Sequence, residues 1–144
     1  VYKTRINGSN GISFDSGSNY LDNYEEGTFT PTTDSGTITN SGAKYTKIGN
    51  VVTLIISNAQ FSDYTTSESL LISGLPFAAD EDSVGNIMVS RIDTPANWDA
   101  VYIASGTSYL RFYANTSGGF SQINRTELAQ NNSIYIQITY TTSS

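Results

Sequence analysis

The sequence predicts an all-β fold, an antiparallel β-sandwich of jelly-roll-like form. Three observations predict it. Residues 133–140, SIYIQITY, alternate cleanly: Ile134, Ile136, Ile138 and Tyr140 face one way, Tyr135, Gln137 and Thr139 the other. Two β-rich runs flank Gly49-Asn50, and Gly at the first central position suits a type II′ hairpin turn. Short apolar runs recur roughly every 8–12 residues with Gly-containing turns between them, the spacing of a sandwich or barrel.

The bulk numbers agree. A chain of 144 residues is the size of one domain and buries about 68–70% of its unfolded surface, enough for a core without staples. There is no Cys, so disulfides and Cys-ligated zinc are excluded. There is no His, which removes the usual general base and the commonest metal ligand. The net charge of −6 gives no basic footprint for nucleic acid. No apolar run approaches the ~18 residues of a membrane span, so membrane insertion is not expected. Charged residues are 14%, against about 25% in an average domain. Polarity comes instead from Ser, Thr, Asn and Gly.

In chain order, residues 1–20 are Gly/Ser/Asn-rich with isolated apolar residues, Ile6, Ile12 and Phe14. Such a segment lacks the surface for its own core and is expected to order against another copy of itself. Thr28–Thr32 and Gly36–Asn40 read as short Thr-rich strands. The Gly49-Asn50 turn pairs Ile48 with Val51, Lys47 with Val52, Thr46 with Thr53 and Tyr45 with Leu54. Ala43, Tyr45, Val52, Leu54 and Ile56 then share the core face, with Lys47 beside the turn and reaching water. Lys44, Thr46, Ile48, Val51, Thr53 and Ile55 share the other face, which is only half polar.

SLLISGLPF reads as a strand ending at Gly74 and Pro76, and Asp80-Glu81-Asp82 as a solvated loop tip. A strand follows near Asn86–Arg91, then a loop carrying Trp98. Val101–Ala104 and Tyr109–Ala114 form a hairpin around Ser105–Ser108. NTSGGF is a turn. RTELAQ is the one helical hint, a turn or two before the final strand.

Two regions are candidates for function. LDNYEEGTFTP, residues 21–31, gathers Asp22, Glu25 and Glu26. Acid–base catalysis needs two carboxylates in different environments across a substrate. Adjacent Glu25 and Glu26 in an extended segment point to opposite faces instead. The stretch also lacks EF-hand spacing, so neither a metal nor a cofactor is expected. A structural role fits better: Gly27 permits a turn, the carboxylates accept backbone N–H groups, and Leu21, Tyr24 and Phe29 anchor the turn. Leu21, Tyr24, Glu25, Glu26 and Gly27 would then join the sparse N-terminal segment, residues 1–27, to a β domain, residues 28–144.

The second region is rich in aromatics, with Trp98, Tyr102, Tyr109, Tyr113 and Phe120 among Asn97, Asp99, Arg111 and Asn115. A flat ring stacks on the apolar face of a pyranose while short polar groups bond its hydroxyls, the make-up of a small-molecule site. Alternation puts Leu110 and Phe112 on one face and Tyr109, Arg111 and Tyr113 on the other, outer one. Asn97, Trp98, Asp99, Tyr109, Arg111, Tyr113 and Asn115 are therefore candidate sugar contacts. The competing reading makes the Tyr and Trp residues half-buried core or subunit-interface groups.

LDNYEEGTFTP resembles the LDDYEEGTWTP signature of phage tail-fibre and tail-spike proteins. AKYTKIGNVV is similar to the family's YxKIGNxV segment, ISGLPF to its xxGLPF segment, ITYTT to its closing strand, and GISF to a Gly-Ile-x-Phe element ahead of the signature. The matches follow the family's order from Gly11 to Thr141, leaving residues 80–132 unmatched. Asn23 and Phe29 depart from the signature without changing its polar/apolar pattern.

The resemblance implies a C-terminal β-sandwich head on a homotrimeric fibre, with a short extended N-terminal neck. It further implies a virion protein that binds bacterial surface polysaccharide or an outer-membrane receptor without catalysis. The chain starts at Val1 rather than Met, and other tail proteins are expected to be met through residues before Val1. Three heads would give avidity, so each site can bind weakly. The alternatives are another virion role (head fibre, capsid decoration or baseplate component) and, further off, a depolymerase.

Overall fold

A computed structural model describes residues 24–92 and 98–143, and the backbone of residues 12–13 and 20–21. Strands β1 (Ile12–Ser13) and β2 (Tyr20–Leu21) pair antiparallel as a two-stranded ribbon. The inward-packed neck expected of Ile6 and Phe14 lies outside the described residues, as does Asp22.

Everything else is one antiparallel sheet. Its strands are β3 (Glu25–Thr28), β4 (Ile38–Thr39), β5 (Gly42–Ile48), β6 (Val51–Phe61), β7 (Leu71–Ile72), β8 (Ser83–Ile92), β9 (Trp98–Ile103), β10 (Leu110–Thr116), β11 (Gly119–Gln122) and β12 (Leu128–Thr141). They run in the order β11-β10-β9-β8-β12-β6-β5-β3, with β4 attached to β6 and β7 to β10. The final strand is thus at the centre.

Alternation builds the core. Val52, Leu54 and Ile56 of β6, Ile134, Ile136, Ile138 and Tyr140 of β12, Val101 and Ile103 of β9, and Leu110 and Phe112 of β10 form one buried cluster. Each such side chain contributes about 1.5–3 kcal/mol of burial. Both flanks of the sheet therefore serve a single core. The chain between β3 and β4 ties in through Thr32, whose N–H and C=O both pair with Ser73 (2.9 and 2.8 Å).

The β5–β6 hairpin has the predicted register, Ile48 to Val51 through Tyr45 to Leu54, and Gly49 takes the positive φ (60°) that the turn demands. Lys47 departs from expectation. It does not reach freely into water but is buried, its ammonium 5.6 Å from the Phe77 ring centre. The helical hint at RTELAQ shrinks to one 3-10 turn, Arg125–Glu127, because Leu128 already starts β12. That turn buries Arg125 completely, ion-paired to Asp34 and hydrogen-bonded to Thr33 (2.6 Å).

Two irregularities interrupt β12. Asn132 repairs one of them. Its amide donates to the Phe61 carbonyl (3.0 Å) and accepts from the Phe61 N–H (2.8 Å), standing in for a strand backbone. Gly85 marks the place where β8 passes from β12, last paired at Asn86–Gln137, to β9.

Candidate functional site

Outward side chains of β8, β9, β10 and β11 frame a groove of about 570 Å³. Register explains how they meet. Val84 lies opposite Tyr102, and Tyr102 opposite Arg111. Ala100 lies opposite Tyr113, and Asn115 opposite Phe120. Tyr113 sits edge-on to both Tyr102 (5.7 Å, 84°) and Phe120 (5.6 Å, 85°), so the three rings form a continuous apolar floor. Phe120 is 80% exposed, a large ring left in water at the groove's open end.

A β-bulge decides which polar groups join them. Tyr113 pairs with Ala100, but Ala114 pairs with Trp98, so Asp99 is the extra residue. Strict alternation from inward Val101 would point Asp99 in and Trp98 out. The bulge reverses both. Asp99 turns to the groove and accepts the Asn115 N–H (2.5 Å). Trp98 turns to the core, against Phe112 at 5.8 Å, and is not a surface contact as expected.

Four of the expected contacts, Asp99, Arg111, Tyr113 and Asn115, line the groove. Tyr109 stands beside it. The Arg111 guanidinium lies over the Tyr109 ring (5.0 Å) and donates to its hydroxyl (2.6 Å). Asn97 lies outside the described residues.

Sequence reasoning left Asp82, Val84, Tyr102 and Phe120 out of the candidate contacts, and the groove includes them. The signal available for Tyr102 was its alternation with Val101 and Ile103. For Phe120 it was only membership of the aromatic-rich region, because its segment reads as a turn. Asp82 is not an idle loop-tip charge. It accepts the Ser105 N–H (2.8 Å), which, with the Tyr102 hydroxyl beside it, holds its carboxyl below the usual range. Burial and that same carboxylate push the Tyr102 phenol up. Asp80, too, is engaged, accepting from the Thr141 hydroxyl. Burial works against the charge on Arg111, but the hydroxyls of Tyr113 and Tyr109 outweigh it and raise its pKa.

The acidic stretch has a different geometry from a turn. Glu25, Glu26 and Gly27 are ladder residues of β3, paired with Lys47, Thr46 and Tyr45, so the boundary expected after Gly27 falls inside a strand of the sheet. The carboxylates serve tyrosines rather than backbone amides: Glu25 accepts from the Tyr45 hydroxyl (2.5 Å) and Glu26 from Tyr24 (2.7 Å). Each carboxylate raises its tyrosine's pKa. Gly27 lies directly against the Tyr45 side chain. A Cβ there would meet the Tyr45 ring at 2.9 Å. Tyr24 is exposed and anchors nothing apolar, while Phe29 packs on the core. Of Leu21 only the backbone is described, paired with Ile12.

Among the described residues, no group of three or more acidic side chains is placed to hold a metal ion, and no helix is long and apolar enough to cross a membrane. Comparison with protein-family models, with curated proteins and with solved structures found no match to this chain.

Proposed function

We propose that this chain is the tip of a phage tail fibre, a homotrimeric β-sandwich head that attaches the virion to bacterial surface polysaccharide without chemistry. The tail-fibre part rests on the ordered resemblance from GISF to ITYTT. The adhesive part rests on one observation, the groove floored by Tyr102, Tyr113 and exposed Phe120 and edged by Asp99, Asn115 and Arg111. Rings beside short polar side chains recognise sugars by stacking plus hydroxyl bonding. The lowered pKa of Asp82 is the opposite of what a general acid at neutral pH requires, in keeping with binding alone.

The outer face of β5, β6, β12 and β8 carries exposed Ile48, Val51, Ile55, Met88 and Tyr135. Exposed apolar patches mark contact surfaces. This one supports self-association, and it is also the observation that favours the second reading, a head fibre, decoration or baseplate component acting in assembly alone.

The test joins mass to attachment. Light scattering on the whole chain should give a trimer. The fluorescently labelled chain should bind cells from a bacterial panel, with purified surface polysaccharide competing. A trimer that binds no cell type would favour the assembly role. A monomer that binds none would refute the fibre reading.

A further inference from the structure

The groove has two chemically different ends. Alternate residues of β10 put Arg111, Tyr113 and Asn115 along it, about 14 Å from first to last at ~3.4 Å per residue. That span suits a short oligosaccharide rather than one ring. At the Arg111 end, the guanidinium is held by Tyr109, and Asp82 is also among the groove's lining residues. At the Phe120 end, the lining holds a carboxylate and an amide, Asp99 and Asn115, with no cation.

From this asymmetry we infer that the Phe120 end is a subsite for a neutral hexopyranose, its apolar face on the Phe120 ring and its hydroxyls on Asp99 and Asn115. The inference rests on the adhesive reading and names the sugar class that reading would use. Asp99 accepts the Asn115 N–H on Oδ2; among the described residues no donor is placed on its Oδ1, which would accept a sugar hydroxyl in a charge-assisted bond. The Asn115 amide adds both a donor and an acceptor. A neutral, hydroxyl-rich ring satisfies all three groups. A uronic or sialic acid would bring a second carboxylate against Asp99, a like-charge juxtaposition that disfavours binding. Phe120, 80% exposed, gains burial only when a ring covers it.

The test is calorimetric titration of the whole chain with neutral gluco-, galacto- and manno-oligosaccharides and with uronic-acid oligosaccharides of equal length. Neutral sugars should bind more tightly. Phe120→Ala should weaken them roughly tenfold, the order seen on removing an aromatic stacking platform, and Phe120→Tyr should restore binding. Asp99→Asn should weaken them several-fold while narrowing the gap to the acidic series. Tighter binding of the acidic sugars, lost in Arg111→Ala and untouched by Phe120→Ala, would overturn the subsite but leave adhesion standing. No binding of any oligosaccharide at millimolar concentration would also overturn it. The adhesive reading falls as well only if the wild-type chain fails to bind the cell panel.

Discussion

Replacing Gly85 by Ala should destabilise the protein by about 2–3 kcal/mol. A Cβ at this position would lie 2.5 Å from the Gln137 carbonyl oxygen, 2.6 Å from Ile138 Cβ and 2.9 Å from Ile138 Cα. Two of those three atoms are backbone of the central strand, so no side chain can swing aside. Overpacking a tight site costs typically ~1–3 kcal/mol, and an unyielding neighbour puts the cost at or above the top of that range. The stiffer unfolded chain returns about 0.4–1 kcal/mol. For a chain of this length the net loss lowers Tm by roughly 6–10 °C.

Gly42→Ala is the control. A Cβ there meets nothing within 4 Å, so only the unfolded-state term remains and Tm should rise by a degree or more. Circular-dichroism melts at one fixed chain concentration would compare the three proteins, since association shifts apparent stability. If Gly85→Ala melts at or above the wild type with an unchanged near-ultraviolet spectrum, β8 does not pass β12 this closely, and the reasoning fails.

Two further outcomes follow from polar groups. Asn132→Ala strands the buried N–H and C=O of Phe61 and should cost about 2–4 kcal/mol by urea unfolding; a loss under 1 kcal/mol would mean water replaces the amide. Asp63 accepts from the hydroxyls of Ser35 and Thr66 (2.7 Å each) and from the Thr65 N–H (3.0 Å), which together hold its carboxyl far below the usual range. With the folded pKa depressed, the unfolded chain binds the extra proton. The contribution is therefore complete above pH ~4 and fades as pH falls below it. Asp63→Asn should flatten the stability–pH curve below pH ~4, and an unchanged acid limb would refute the assignment.

What was legible in the sequence was whatever short-range geometry governs. A two-residue turn leaves one register, so the pairs from Ile48–Val51 to Tyr45–Leu54 could be read directly. Period-two alternation placed Ile134, Ile136, Ile138 and Tyr140 inside, and Arg111 and Tyr113 outside. The failures come where a single residue breaks the period. The bulge at Asp99 exchanges the sides of Trp98 and Asp99, and nothing local in TPANWDAVYI announces an inserted residue. Gly27 suggests a turn by its freedom, yet it sits in a strand with the ring of Tyr45 packed against it, which only tertiary structure reveals. The helical hint at RTELAQ likewise says nothing of the burial of Arg125. Its partners, Asp34 and Thr33, come from the far side of the chain.

The pleat of β10 carries a further consequence. Leu110 and Phe112 are locked in the interior, while Arg111, Tyr113 and Asn115 stand between and beyond them on the opposite surface. Folding instructions and recognition chemistry are thus interleaved letter by letter on one strand, yet separated by the thickness of the sheet. Replacing the outward letters exchanges one ligand preference for another while the inward letters continue to specify the same scaffold. A strand of this kind can diversify its target in single steps, each leaving the interior packing intact.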